Sequence, residues 1–445
     1  MASANCKKCG AALPSVSFGE LPEYCDTCRT DVPRSTKLGL VNELPWLAET
    51  SIKWPVATTL LIGISAAVFA SMVAKGVSAV VPSSEQLLHW GANFGPYTLG
   101  GQYWRLITSA FVHVGFMHLA VNMVSLWILG RMVEKIFGAP ITCGLYLVTS
   151  VGAALLTLSW DPMRVSAGAS GAIFGLDGVL VSVLYYGKLG LPPEFVRRAL
   201  GWVVKIALIN LFYGLAGNID NMAHLGGLVT GLLAGVFLAR TCSLPQDRLA
   251  AQIRVLLVTS CSLLLVLWPI KQAKVDAVEL QRGEDAIERR DYTSAIEHYQ
   301  KYTAMKPGDA YGHASLGYAF HAVERLDDAA REYQRALALK PDTPWVEVNL
   351  ADIYAYQKKP VEAVALYQRS ISKTKAGADE YRWYGSCLFS LQRYTDAENA
   401  LQKAVALDKS DEEAHELLAD VYAKLGKTKE AQKERELAAE LEKDK

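Results

Sequence analysis

The stretch Val165–Val179, V-S-A-G-A-S-G-A-I-F-G-L-D-G-V, lies where a polar loop, Trp160–Arg164, gives way to an apolar helix that runs to Tyr186. Ser170 stands between two glycines, so another backbone or a ligand can come close to its hydroxyl. The helix N-terminus directs unpaired N–H groups towards the space beside this serine. The serine is therefore either a packing residue, because small residues are common where membrane helices touch, or a nucleophile.

The composition divides the chain into parts of different character. Its 445 residues predict two or three domains, and 51% of them are hydrophobic, yet 45 basic residues balance 45 acidic ones. The apolar residues concentrate in the middle and the charged ones in the last third. A net charge of zero argues against a nucleic-acid-binding protein. The first 50 residues are polar and lack an apolar core, which predicts that there is no cleavable signal peptide.

Four of the eight cysteines lie close together near the N-terminus. Cys6-x-x-Cys9 and Cys25-x-x-Cys28 are separated by 15 residues, a spacing that lets four thiolates close a tetrahedral zinc site. We therefore predict a structural zinc ribbon over residues 1–32, followed by a linker over 33–53; a redox pair and incidental cysteines are the alternatives. Zinc-binding thiolates require a reducing compartment, which predicts a cytoplasmic N-terminus.

Seven apolar segments approach the roughly 17–25 residues that a helix needs to cross a bilayer. The last has 16 residues and lies within 241–272, after a six-span region over 54–240. The sequence thus predicts an all-α, polytopic helix bundle in contact with the lipid bilayer. The predicted spans are Pro55–Ala74, His118–Lys135, Ala139–Ser159, Gly168–Tyr186, Ala199–Ala216, Met222–Arg240 and Val255–Ile270.

The basic residues predict the orientation of these spans. With the N-terminus inside, the cytoplasmic connections carry most of the basic side chains, as the positive-inside rule requires. An odd number of spans then places the C-terminal third outside the cytoplasm. The absence of a targeting segment suits the inner membrane of a bacterium. The cytoplasmic basic residues are Arg131, Lys135, Lys188, Arg197, Arg198, Arg240, Arg248 and Arg254.

Three spans then begin at the outer face with polar side chains, which are costly in a membrane and suggest a functional site. They bring His118 with Asn122, Ser170 and His224 to one depth. Ser170 and His224 can form a dyad, because serine needs an adjacent base to become a nucleophile. Glycines at intervals of four residues after His224 allow its helix to pack closely on the helix of Ser170. His118 and Asn122 share one helix face and, with the Ser170 N–H, can donate to an oxyanion.

Together with further motifs, these residues make residues 54–240 resemble the rhomboid intramembrane serine proteases. The resemblance implies a six-helix core that cleaves transmembrane protein substrates near the outer membrane face. It implies Ser170 as nucleophile, His224 as general base, His118 and Asn122 in the oxyanion hole, and no cofactor for catalysis. The matching motifs are Trp104-Arg105, His113-x4-His118-x3-Asn122, Gly130-x3-Glu134, Gly168-Ala-Ser170-Gly171 and Ala223-His224-x-Gly226-Gly227.

Some positions near the motifs are expected to be structural. The resemblance implies that Trp104 and Arg105, in the first outer loop, are structural and rest at the membrane interface, and we expect His113 to pack within that loop. Phe174 stands where some family members have a tyrosine, and it can stack on the imidazole of His224 without offering a hydroxyl.

Two acidic residues invite a catalytic interpretation that we do not favour. Asp177 lies two turns after Ser170 and is expected to face the protein interior, protonated or paired, with Asn210 as a candidate partner. Asp220 lies one turn before His224 and is expected to cap that helix. We therefore predict a dyad and not a triad.

The C-terminal third repeats every 34 residues. Small residues recur at two positions and tyrosines at a third, so that paired helices can pack closely around aromatic side chains. The pattern is similar to the tetratricopeptide repeat and predicts a solenoid of five repeats over 276–445. The concave groove of such a solenoid is expected to bind a protein or peptide partner. A rigid spacer or a dimerisation surface is the alternative. The series are Gly283, Gly317, Ala351, Gly385, Ala419; Ala295, Ala329, Ala363, Ala397, Ala431; and Tyr299, Tyr333, Tyr367.

Three functions are considered for this sequence. The first is a serine endopeptidase whose repeats recruit transmembrane substrates or partners. The second is a non-proteolytic, rhomboid-like scaffold that binds membrane proteins, but such pseudoenzymes are expected to lack the serine or the histidine, and this chain has both Ser170 and His224. The third, a transporter, is disfavoured because the chain shows neither inverted repeats nor charges along its spans.

Overall fold

The computed structural model describes residues 54–187, 192–215, 219–242 and 248–443, with the side chains of all these residues except 206 and 209–215. The described chain is built from helices and contains no strand. A lone antiparallel β-bridge joins Asn93 to Ser166 within it. This architecture confirms the predicted all-α class.

Seven long helices and three short ones make up the membrane part of the described chain. The short helices lie in the connection between the first two long helices, which is named the first outer loop after the orientation predicted from the sequence. In chain order the helices are α1 (Val56–Ala74), α2 (Ser84–His89), α3 (Gly95–Leu99), α4 (Arg105–Thr108), α5 (Phe116–Phe137), α6 (Ala139–Trp160), α7 (Ser170–Tyr186), α8 (Pro193–Leu215), α9 (Asn221–Thr241) and α10 (Arg248–Ala273).

Five of these helices, α1, α5, α6, α9 and α10, are long and apolar enough to cross a membrane, and α7 is a shorter apolar helix of 17 residues. The chain is therefore a multi-pass membrane protein. Several boundaries differ from those expected. Helix α5 begins at Phe116 and already contains His118 in its first turn. Helix α8 begins at Pro193 instead of Ala199. Helix α10 has 26 residues instead of 16, because it begins at Arg248, before the apolar segment, and continues to Ala273.

Glu134, near the end of α5, fixes the start of α1. Its carboxylate accepts hydrogen bonds from the backbone N–H groups of Ala57 and Thr58, at 3.0 and 2.9 Å, and from the Thr58 hydroxyl at 2.8 Å. The first N–H groups of a helix have no partner within the helix and carry partial positive charge, so a carboxylate stabilises them. The Gly130-x3-Glu134 motif thus joins α5 to α1.

Helix α9 packs backbone to backbone on α7. No Cβ would fit at Gly227 beside the Gly171 carbonyl, or at Gly231 beside the Gly175 carbonyl. Glycine at these positions lets the two helices approach more closely than any other residue allows. The expected glycine face of α9 is therefore the surface that holds it against α7.

Arg105 organises the first outer loop from inside. Its side chain is buried and donates to the carbonyls of Leu88 and Ala92, at 2.7 and 2.9 Å, and to the side chain of Gln102 at 2.7 Å. Its guanidinium also lies over the ring of Trp104, 4.6 Å from the centroid. A buried cation with several carbonyl acceptors ties distant parts of a loop together.

Ten helices form the repeats, as five successive pairs. Buried Tyr299 and Tyr333 lie against Gly283 and Gly317, where no Cβ would fit. This packing explains the 34-residue period. The helices are α11 (Val275–Glu288), α12 (Tyr292–Met305), α13 (Ala310–Ala322), α14 (Leu326–Leu339), α15 (Pro344–Tyr356), α16 (Pro360–Lys373), α17 (Ala378–Ser390), α18 (Tyr394–Leu407), α19 (Glu412–Lys424) and α20 (Thr428–Lys443).

The first repeat is fastened to the membrane domain. Only Lys274 separates α10 from α11, and Val278 of α11 belongs to one buried cluster with Leu99 and Leu106 of the first outer loop. The Tyr97 hydroxyl donates to Asp285 of α11 at 3.4 Å. Burial raises the pKa of Tyr97, so its hydroxyl remains a hydrogen-bond donor at neutral pH.

Candidate active site

Ser170 is the first residue of α7, and its hydroxyl oxygen lies 2.9 Å from Nε2 of His224. Both the sharp entry into α7 and the tight packing of α9 produce this distance. Gly168 has a φ of +135°, a conformation that side-chain-bearing residues rarely adopt, and it brings the chain against the ring of His118. The structure therefore brings Ser170 and His224 together, as the sequence predicted.

The imidazole of His224 is buried and held by stacking. The Phe174 ring lies parallel to it within 18°, with 4.3 Å between ring centroids. Nδ1 of His224 has no hydrogen-bond partner among the described residues. Asp220 instead caps α9 by accepting from the Ala223 N–H at 3.0 Å, and it accepts from the Thr157 hydroxyl at 2.7 Å. No described carboxylate orients the imidazole, so the geometry is that of a dyad.

His118 and Asn122 line the same cavity as Ser170 and His224, a space of about 520 Å³. Asn122 is 5% exposed, and its Nδ2 has no hydrogen-bond partner among the described residues. A buried, unpaired amide donor is costly unless something occupies its acceptor position. Here that position lies inside the cavity beside the serine, where an oxyanion would form.

His113 does more than pack within the loop, and the sequence reasoning missed this. Its Nδ1 lies 3.1 Å from the Phe111 carbonyl, and its Nε2 lies 3.4 Å from the Ala169 backbone N–H. A carbonyl requires a donor and an N–H requires an acceptor, so the ring is neutral with its proton on Nδ1. His113, which is fully buried, therefore positions the residue directly before Ser170.

Comparison with protein families identifies the membrane part. Residues 100–241 match the family model described as a rhomboid domain. Residues 100–241 are thus similar to a rhomboid domain. Residues 280–344 and 385–426 match tetratricopeptide repeat models.

Individual relatives also carry rhomboid names. Rhomboid protease GluP of Bacillus subtilis (strain 168) is 29% identical over 307 residues, which are 68% of this chain and 58% of the relative. RHOMBOID-like protein 5 of Arabidopsis thaliana is 38% identical over 140 residues, 31% of this chain and 45% of the relative. The chain thus spans about half the length of the curated relatives it matches.

A crystal structure of MamA protein covers 38% of this chain and 93% of its own, with 20% identity and a TM-score of 0.36.

A backbone bridge joins the first outer loop to the segment that precedes Ser170. Asn93 and Ser166 exchange two backbone hydrogen bonds, of 2.8 and 2.9 Å. The Asn93 side chain is held by the Thr98 hydroxyl at 2.8 Å and lines the cavity. No sequence motif marks this asparagine, and only its place in a polar loop before Trp104 could have suggested it.

Asp177 lies in the interior of the membrane part, as expected. It is 2% exposed, and neither carboxylate oxygen has a hydrogen-bond partner among the described residues. The side chain of Asn210, its expected partner, lies outside the described residues. The pairing of Asp177 with Asn210 stays a prediction.

The zinc ligands Cys6, Cys9, Cys25 and Cys28 also lie outside the described residues. Within the part of the chain that is described, no group of three or more histidine, cysteine or acidic side chains is placed to hold a metal. The zinc ribbon over residues 1–32 therefore stays a prediction.

Proposed function

We propose that this protein is an intramembrane serine endopeptidase that cleaves transmembrane protein substrates with a Ser170–His224 dyad. The observation that carries the proposal is the 2.9 Å separation of the Ser170 hydroxyl and His224 Nε2, inside a cavity and beside a stacked Phe174. The printed name of the relative from Bacillus subtilis, a rhomboid protease, supports it. A scaffold has no need for a serine paired with a buried imidazole.

The dyad performs acyl transfer in two steps. His224 Nε2 removes the proton from Ser170 as its oxygen attacks the carbonyl carbon of the substrate peptide bond. The protonated imidazole then gives that proton to the departing amine, and an acyl-enzyme ester remains on Ser170. A water molecule, deprotonated by the same nitrogen, attacks this ester and releases the new carboxyl terminus. No metal takes part in these steps.

Asn122 and His118 stabilise the oxyanion that forms on the substrate carbonyl. The unpartnered Nδ2 of Asn122 supports this role, because a donor that is already in place costs nothing to reorganise during the reaction. The N–H groups at the start of α7 add partial positive charge at the same point.

The repeats and the catalytic dyad lie on the extracytoplasmic side of a bacterial inner membrane in this proposal. The excess of lysine and arginine in the opposite connections supports this orientation. The N-terminal segment then lies in the cytoplasm, where Cys6, Cys9, Cys25 and Cys28 hold a structural zinc ion. The domains are the ribbon (1–32), the linker (33–53), the protease core (54–240), the seventh span (241–272) and the repeats (276–445), which bind a protein partner.

Labelling with a fluorophosphonate probe tests the proposed activity. Wild-type protein in detergent should be labelled, and Ser170→Ala and His224→Ala should both abolish labelling. Ser182→Ala is the matched control, because Ser182 lies on the same helix but donates to the Leu232 carbonyl, and it should be labelled like the wild type. Labelling that persists in Ser170→Ala, or no labelling of folded wild type, would contradict the proposal and favour a scaffold.

A further inference from the structure

The first helices of the middle repeats expose aromatic side chains. Among the described residues of the repeats, every exposed aromatic residue lies on α13, α15 or α17. The exposed large apolar side chains of the second helices α12, α14, α16 and α18 are aliphatic residues and methionine. We call this surface the aromatic face. Its members, which are between 40% and 73% exposed, are Tyr311, Tyr318, Trp345, Tyr356 and Trp383.

The repeat geometry aligns these residues into one continuous surface. Tyr311 and Trp345 are 34 residues apart and occupy the same position in successive repeats. Tyr318 follows Tyr311 by seven residues, so the two share one helix face. The Tyr311 hydroxyl donates to Glu284 of α11 at 2.9 Å, which shows that the first helices of neighbouring repeats meet along this face.

Acidic side chains beside the aromatic face lack basic partners. Among the described residues, Glu284, Asp352 and Glu380 form no ion pair. Asp352 accepts from the Tyr367 hydroxyl, and Glu380 Oε2 is buried with no hydrogen-bond partner. Burial raises the pKa of all three groups, and neighbouring carboxylates raise it further.

Other buried carboxylates of the repeats have a basic partner. Glu279 lies 3.1 Å from Arg282, and Glu332 lies 2.8 Å from Arg335, so each has a guanidinium within ion-pairing distance. The solenoid therefore places a guanidinium beside Glu279 and Glu332. It leaves uncompensated negative charge beside the exposed aromatic rings, where a cationic ligand would supply the missing partner.

The aromatic face belongs to a solenoid that is fixed beside the catalytic cavity. Asn93 lines that cavity, and Tyr97, four residues later, donates to Asp285 of the first repeat. At the same junction, Lys271 donates to the Tyr103 hydroxyl at 2.9 Å. A polypeptide that reaches the cavity thus passes close to the start of the repeats, which argues for the substrate itself as the occupant.

We propose that the aromatic face binds a lysine- or arginine-rich stretch of the transmembrane substrate, adjacent to the segment that is cut. Its rings offer cation–π surfaces, and Glu284, Asp352 and Glu380 provide the opposite charge. This inference rests on the proposed endopeptidase function. In this assignment the repeats select substrates by their positive charge, and the catalytic cavity selects them by the sequence that fits it.

Peptide binding to the full chain tests this assignment. The protein carries Ser170→Ala to prevent cleavage and is held in a lipid nanodisc. The probe is a short fluorescein-labelled peptide that alternates lysine with glycine and serine, and its counterpart has glutamate in place of lysine. Fluorescence anisotropy should show saturable binding of the lysine peptide alone, weakened by added salt. Equal binding of both peptides, or no binding of the lysine peptide, would overturn the assignment.

Variants locate the binding on the aromatic face. Asp352→Asn with Glu380→Gln should weaken the lysine peptide about tenfold, because two carboxylates that attract it are lost. Glu362→Gln with Glu430→Gln removes the same charge from exposed positions on second helices and should leave binding unchanged. Tyr356→Ala, at a position that is 73% exposed, should also weaken binding several-fold without disturbing the fold. Equal weakening by the control pair would overturn the assignment.

Fluorophosphonate labelling separates this inference from the proposed function. Aromatic-face variants that retain Ser170 should be labelled like the wild type, because the dyad is untouched. If the lysine peptide does not bind while labelling is normal, the inference fails and the endopeptidase proposal stands. If labelling is absent in every variant, the endopeptidase proposal fails, whatever the peptide result.

Discussion

Gly227 faces the backbone carbonyl of Gly171 so closely that no Cβ fits between them. Gly171 directly follows Ser170, and Gly227 is three residues after His224, so this contact sets how closely the two side chains of the proposed dyad approach. Helix packing at glycine thus determines the geometry of the dyad, since the hydroxyl and the imidazole meet at 2.9 Å only if the two backbones touch.

Gly227→Ala should therefore separate the dyad. The added methyl group meets backbone, which cannot move aside as a side chain can, and overpacking of this kind costs about 1–3 kcal/mol. We expect two effects in detergent. The rate of fluorophosphonate labelling should fall, and this loss, expressed as a free energy, should be at least as large as the loss of stability measured by thermal unfolding. Gly201→Ala on α8 is the control, because no atom lies within 4 Å of its added Cβ. Normal labelling of Gly227→Ala would show that the contact does not set the distance.

His113 should act as a positioning residue for Ser170. His113→Phe keeps the ring volume but removes the nitrogen that accepts from the Ala169 N–H. A buried N–H without an acceptor costs about 1–3 kcal/mol, and the chain before Ser170 should shift to find another partner. We expect labelling to slow about tenfold or more.

His113→Gln tests whether the acceptor is what matters. The glutamine side chain offers an oxygen that can accept from the same N–H, so it should restore labelling in part. Equal loss in the phenylalanine and glutamine variants would indicate that His113 only fills space.

Asn122→Ala should remove one oxyanion donor and leave the dyad intact. Loss of one such donor typically slows the chemical step by about 10²–10³-fold. The rate constant of fluorophosphonate labelling should fall within this range, while the Ser170–His224 pair and the fold remain. Val124→Ala, at an exposed position on the same helix, should label like the wild type. A rate equal to that of the wild type in Asn122→Ala would exclude the asparagine from the oxyanion hole.

The sequence was informative where function depends on side chains in a recognisable pattern. Ser170, His224, His118 and Asn122 each begin or follow a helix start at one face of the membrane, and that placement alone predicted a shared site. The structure brings them around one cavity. Helix periodicity and the 34-residue repeat were similarly readable, because they reflect local packing rules.

The sequence did not predict the parts of the candidate site that depend on contacts to distant backbone groups. His113 bonds the N–H of Ala169, and Asn93 pairs with the backbone of Ser166. Backbone groups are the same in every residue, so nothing in the sequence marks which one a side chain or strand will meet. The missing basic partner of Asp352 was equally invisible, because it depends on which faces of the solenoid helices pack together.

The acidic side chains beside the aromatic face should make the repeats less stable as pH rises. The pKa values of Asp352 and Glu380 are raised in the folded protein, by burial first and then by neighbouring acids. The folded state therefore holds more protons than the unfolded state between the two pKa values, so its stability falls as pH rises through the folded value. Below the unfolded pKa, near pH 4, this penalty is absent.

Asp352→Asn with Glu380→Gln should remove that penalty. Relative to the wild type, the double variant should protect the amides of α15 and α17 from hydrogen exchange more strongly at about pH 8, and the difference should vanish near about pH 4. Glu362→Gln with Glu430→Gln, which neutralises two exposed carboxylates, should give no pH-dependent difference. A double variant that is less stable than the wild type at about pH 8 would show that these carboxylates stabilise the repeats, contrary to the expectation from their burial without an ion pair.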